Sequence, residues 1–215
     1  MPHVFVETNW LFAYAAPAHH QISEAAKLFD RASRGDFVVH MPNICIAEAR
    51  KAILAKCQPR NEAKAIRQFL TWGQPEFVTK MEAEATRVVL DKYESRIKHD
   101  LDNLENTLRT VASSPFIEIY GLDDAMLDRA TELSLAGLAL KPFDHAVLAS
   151  VLVRAEKLWE AGERGISFCE VDADLQPWDK YGNAKPPLRD AFERAHVWVY
   201  SDFTLAQPQR RQDFE

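Results

Sequence analysis

Apolar positions along the chain fall into two kinds of grouping. Short β-rich runs stand at residues 4–6, 37–41, 116–120, 166–171 and 197–200, and helical spacing fills the stretches between them. Strands alternating with helices predict an α/β fold on a central parallel sheet, here five-stranded and doubly wound.

The first intervening helix is predicted over 23–33, where Ala25, Ala26, Leu28, Phe29 and Ala32 share spacing and Gly35 follows as a stop. A second is expected over 44–57, with Asn43 as its N-cap and Ile46, Ala49, Ile53 and Leu54 as its inner stripe. From 80 to 112 the pattern is one long amphipathic helix, carrying Met81, Ala85, Val88, Ile97, Leu101, Leu104, Leu108 and Val111. The last five step by four and three in turn, close to a heptad seam. Packing on its own domain is the plainer account of that seam, and a homodimer or partner surface the sharper one. A helix over 124–136 follows the third strand. Another opens at Pro142, with Phe143, Val147, Leu148, Val151, Leu152 and Leu158 on its buried side.

The expected organisation is one domain over 1–205, with a helical insertion at about 73–112 and a loose tail at 206–215. Apolar residues make up 47% and charged residues 27%, the balance of an ordinary globular chain. A net charge of −6 argues against a protein that coats nucleic acid through bulk electrostatics, yet leaves room for a local basic groove. Cys45, Cys57 and Cys169 are odd in number and lack metal-binding spacing, so a reducing compartment is expected. No secretory pattern or membrane-length apolar run is evident, and the expected location is cytoplasmic.

The acids change the picture most. Ligands of a parallel α/β sheet collect outside the carboxyl ends of its strands. Glu7 ends the first run and Asp172 the fourth, while Glu48 and Asp144 lie in helices that start near the same edge. Singly, each has a plain account: a strand exit, a solvated helix face, a helix-start charge, a turn. Together they would repel one another unless a cation neutralised them. A hard ion with oxygen ligands, Mg²⁺ or Mn²⁺, suits an all-carboxylate site better than zinc, and the chemistry this implies is phosphoester hydrolysis.

VETN at 6–9, PNICIAEARKAI at 42–53, LKPFDHAVLASVL at 140–152 and FCEVDADL at 168–175 follow one another in an order that resembles PIN-domain nucleases. PPLRDAFERAHVWVYSDF fits the ending of that family, as a short helix and a last strand. The resemblance covers most of the chain outside roughly 73–112. It implies a PIN-like parallel sheet and a Mg²⁺- or Mn²⁺-dependent endoribonuclease acting on single-stranded RNA. It makes Glu7, Glu48, Asp144 and Asp172 the catalytic, metal-holding acids, with Asp174 as a further candidate. Thr8 and Asn9 would orient the first acid or a bound water. Glu7 departs from the family's usual Asp by one methylene, which alters the reach of the carboxylate.

Arg50, Lys51 and Lys141 neighbour these acids in sequence and are candidates for holding the RNA backbone. Trp10 and Phe143 could stack on bases, though core packing is the plainer role for both. Small PIN proteins are often toxins, with an antitoxin or other protein regulator as partner. Two other readings stay open: a PIN-like module that binds RNA or protein without cutting, and a phosphohydrolase of the DxDx(T/V) type. Against the latter, Gln176 stands where Thr or Val belongs and the motif comes near the end of the chain.

Overall fold

A computed structural model of the chain describes residues 1–73 and 77–206. Strands β1 (His3–Phe5), β2 (Val38–Pro42), β3 (Ile117–Tyr120), β4 (Ile166–Cys169) and β5 (Trp198–Tyr200) form one parallel sheet in the order β3-β2-β1-β4-β5. The helices are α1 (Thr8–Ala15), α2 (Ser23–Ser33), α3 (Ile44–Lys56), α4 (Pro59–Glu62), α5 (Lys64–Trp72), α6 (Lys80–Asp102), α7 (Leu104–Ala112), α8 (Asp124–Leu135), α9 (Pro142–Glu160) and α10 (Pro186–Arg194). The α/β class and the five parallel strands are those expected.

Parallel strands are covered on both faces, and this explains why the runs are nearly continuous in apolar residues. Val4, Val39 and Met41 pack in one buried cluster with residues of α1, α2, α3 and α7. Their neighbours Phe5, Ile166, Phe168 and Val199 face the other way, into a second cluster with α8, α9 and α10. Trp10 is fully buried in the first cluster, and its indole N–H donates to the Ala25 carbonyl at 3.2 Å. Phe143 packs against the same cluster. Both aromatics are core, the plainer of their two roles.

The long helix expected over 80–112 divides at Asn103 into α6 and α7. Thr79 and Glu82 close a capping box at its start. Ile97, Leu104, Leu108 and Val111 are buried and Leu101 is half-buried; the last three of the buried residues belong to the first core cluster. The heptad-like seam therefore packs on its own domain. Met81 and Val88, expected on the apolar face of the long helix ahead of the seam, are exposed, and α6 instead turns Ala83 and Leu90 toward Ala63 and Leu70 in a small third core. Residues 74–76 of the insertion and 207–215 of the tail lie outside the described residues.

Two local expectations differ from the structure. Asn43 precedes α3, but its side chain makes no capping hydrogen bond; its backbone N–H donates to the Tyr120 carbonyl at 2.8 Å, extending the β2–β3 contact. The fourth strand stops at Cys169 rather than 171, and this moves the carboxylate at its end from Asp172 to Glu170. All three cysteines are free and buried. Among the described residues, no helix is long and apolar enough to cross a membrane.

Candidate active site

The winding direction reverses at β1. The chain passes from β1 through β2 to β3 on one side, then returns to lay β4 and β5 on the other. Such a reversal opens a crevice at the carboxyl ends of the two strands that flank it. Here those strands are β1 and β4, paired with Phe5 level with Phe168. Two residues beyond Phe5 and Phe168, just past the paired ends of the strands, come Glu7 and Glu170, near enough for their charges to interact.

Both are removed from water: Glu7 is 5% exposed and Glu170 fully buried. Glu7 is the N-cap of α1, and its Oε1 accepts the Asn9 backbone N–H at 2.7 Å. The helix N-terminus favours the negative charge. Glu170 Oε1 accepts the backbone N–H of Asp172 at 2.6 Å, whereas its Oε2 is buried without a hydrogen-bond partner. An orphaned buried carboxylate oxygen costs free energy unless something at the site satisfies it.

The remaining acids gather round this pair. Glu48 projects from α3, which begins directly after β2, and its Oε2 accepts the Thr8 hydroxyl at 2.5 Å. Asp144 occupies the first turn of α9, next to Lys141 at the cap position. Asp172 follows β4, with its Oδ1 accepting the Asp174 N–H at 2.9 Å. The resemblance implied that Thr8 and Asn9 orient Glu7 or a bound water; the Thr8 hydroxyl instead orients Glu48, while Asn9 holds Glu7 through its backbone N–H and its side chain. The threonine hydroxyl reaches across to α3 because it opens α1 on the side facing that helix.

Electrostatics link these residues. Burial, offset in part by the Asn9 N–H and reinforced by the charges of Glu48 and Asp172, pushes Glu7 up to about 8. Burial and then the Glu7 charge hold Glu170 well above the usual carboxylate range, with Asp172 and Asp144 adding. Burial raises Asp144 as well, against the pull of Lys141 and with the help of Asp172 and Asp174. Perturbation of this kind concentrates at functional sites.

The donor set is entirely oxygen, as a hard dication requires. Its spacing is open: among the described residues, no three of these acids bring ligand atoms all within 4.8 Å of one another. An ion that keeps part of its water shell while touching one or two carboxylates fits such spacing, which is the habit of Mg²⁺. Glu7 and Glu170, with the unpartnered Oε2, are the residues best placed to hold it.

Of the basic candidates, Lys51 and Lys141 are exposed. Arg50 makes an ion pair with Glu105 of α7. Lys185, which the sequence reading missed, donates its Nζ to the Ala173 carbonyl at 2.5 Å and so brings a cation to the loop of Asp172 and Asp174. Glu170 was also missed. Its signal was the repetition of the opening pattern, since VFVE and SFCE each end an apolar run on a glutamate. Comparison with protein-family models, curated proteins and solved structures finds no match to this chain.

Proposed function

We propose that this chain is a divalent-metal-dependent phosphodiesterase that cuts single-stranded RNA internally, with Mg²⁺ or Mn²⁺ as its cofactor. The observation that carries the reading is the pair of buried, electrostatically interacting carboxylates, Glu7 and Glu170, just past the carboxyl ends of the two strands where the sheet reverses. Two such groups together are unfavourable as anions, and a shared cation offsets both their desolvation and their repulsion. The choice of RNA as substrate rests on the PIN-like motifs of the sequence.

In this scheme Glu7 and Glu170 would hold the ion, with Asp144, Glu48 and Asp172 supplying the further negative charge that draws it into the crevice. When bound, an ion of this class lowers the pKa of a coordinated water and stabilises charge on the phosphoryl oxygens. The protein's own work is orientation. Asn9 N–H fixes Glu7, Asp172 N–H fixes Glu170 and the Thr8 hydroxyl fixes Glu48. Lys51, Lys141 and Lys185 supply positive charge at the rim for the RNA backbone of an otherwise acidic protein.

The test is cleavage of an end-labelled single-stranded RNA pool in Mg²⁺, Mn²⁺ or EDTA. Cutting is expected in either metal and none in EDTA, and Asp144→Asn should lower the rate about a hundredfold. Equal cutting by the two proteins would trace the activity to a contaminant and end the assignment. No cutting of any RNA by a folded protein would favour a binding module.

The Thr8–Glu48 contact makes a finer prediction. Thr8→Val keeps the shape of the side chain and removes the hydroxyl, so the Mg²⁺ concentration giving half-maximal cleavage should rise about tenfold. An unchanged Mg²⁺ dependence would mean that Glu48 acts without this support, or not at all.

A further inference from the structure

A second group of ligating side chains stands where the turn after α1 meets the helical layer formed by α4, α5 and α6. His19 and His20 are consecutive in the 3-10 turn Ala18–His20, and Glu62 is the last residue of α4. His19 Nε2 lies 2.5 Å from Glu62 Oε2, and His20 Nε2 lies 3.1 Å from Glu62 Oε1. The three ligand atoms all fall within 4.8 Å of one another. The two imidazole rings stand 4.2 Å apart between centroids, so both nitrogens converge on one carboxylate from the same side.

The surroundings resemble the outer shell of a metal centre. Tyr93, reaching from α6, donates its hydroxyl to Glu62 Oε2 at 2.6 Å and fixes the carboxylate's orientation. Its ring lies 5.4 Å from that of His19. The Glu62 side chain is 14% exposed while those of His19 and His20 are 30% and 39% exposed, which leaves a route in from solvent. Two imidazoles and one carboxylate, with a position left for water, form a common zinc ligand set. Bonds of about 2.0–2.1 Å in tetrahedral geometry place ligand atoms about 3.3 Å apart. The His20–Glu62 spacing of 3.1 Å is close to this, while the His19–Glu62 spacing of 2.5 Å is that of a short hydrogen bond, which opens as the His19 ring moves outward to admit an ion.

The geometry points to a second metal site, different in chemistry from the acid cluster: His19, His20 and Glu62 bind Zn²⁺ through two nitrogens and one oxygen, and so clamp the helical layer to the core. The contact is already reinforced by the Ala18 N–H, which donates to Asp100 Oδ2 of α6 at 3.2 Å. The site does not depend on the nuclease reading, since none of its residues belongs to the acid cluster.

The experiment is calorimetric titration of Zn²⁺ into the metal-free full chain, the Asp144→Asn variant, the paired His19→Ala and His20→Ala variant, Glu62→Gln and Tyr93→Phe. The tightest equivalent is expected to bind with the same affinity in the parent and in Asp144→Asn, with any zinc taken up by the all-oxygen acid cluster binding more weakly. Binding should weaken more than about tenfold on loss of the histidines or of the Glu62 charge, and about tenfold in Tyr93→Phe. Because a variant could misfold, the histidine ring nitrogens of the unaltered protein are followed by NMR as Zn²⁺ is added. Movement of the His19 and His20 signals at one equivalent supports the site. Unmoved signals, or zinc affinity lost in Asp144→Asn but kept without the histidines, would overturn it and leave a hydrogen-bonded clasp.

Discussion

Glu170→Gln should make the metal-free protein more stable at pH 8 and slow its cleavage of RNA about a thousandfold. The substitution keeps the side chain's shape and an oxygen to accept the Asp172 N–H, so the loop after β4 has no reason to move. Without a cation, the folded protein at pH 8 must either keep a proton on Glu170 that the unfolded chain has released or hold a buried charge against those of Glu7, Asp172 and Asp144, and glutamine carries neither burden. With a cation, on the proposed reading, the same carboxylate is a metal ligand. Stability and activity should therefore move in opposite directions, as they do where a strained site is maintained for function. Urea unfolding in EDTA measures the first effect and initial cleavage rates in Mg²⁺ the second. Retention of nearly full activity, or a loss of stability in EDTA, would take Glu170 out of the metal site.

The metal-free protein should also lose stability as the pH rises from about 4.5 to about 8, the interval between the usual glutamate value and the one Glu7 holds in the fold. The sign follows from proton counting. Within that interval the folded protein keeps a proton on Glu7 that the unfolded chain has released, so raising the pH favours unfolding. Below the interval both states are protonated and the contribution is whole; above it both are ionised and the loss is complete. For a shift of this size the loss is on the order of 5 kcal/mol, shared with the neighbouring Glu170. Mg²⁺ should reverse the trend, because it binds the ionised carboxylates and its stabilisation grows as protons leave. Urea midpoints at pH 5.5 and pH 8, with EDTA and with Mg²⁺, check both slopes. A metal-free midpoint that climbs over this range would show that the acid pair is not burdened as described.

The fold was legible where periodicity reports burial directly. Helix α2 falls at the residues its spacing marks, and the five apolar runs each yield a strand. Strand ends were less legible, because an apolar run continues past the last ladder residue whenever the chain stays buried. Val6 is such a case: it lies beyond β1, is fully buried, and still donates to the His40 carbonyl at 3.0 Å. The same difficulty hid Glu170, which read as the interior of a strand ending at 171. Its meaning depends on its approach to Glu7, and the pairing of β1 with β4, strands so distant in sequence, is set by tertiary packing. The short helices α4 and α5 escaped notice because their buried residues, Ala63 and Leu70, answer to a small core that forms only when α6 lies across them.

The order β3-β2-β1-β4-β5 also has a consequence for the moment of synthesis. Glu7 is made long before Glu170, which follows β4 and lies across the crevice from it. A nascent chain lacking β4 carries Glu7 and Glu48 without Glu170, so the acid cluster stays incomplete until β4 has been made. On the proposed reading, cleavage of RNA would then begin only after β4 has emerged and packed against β1, so the order of the strands in the chain sets the moment at which the site is assembled.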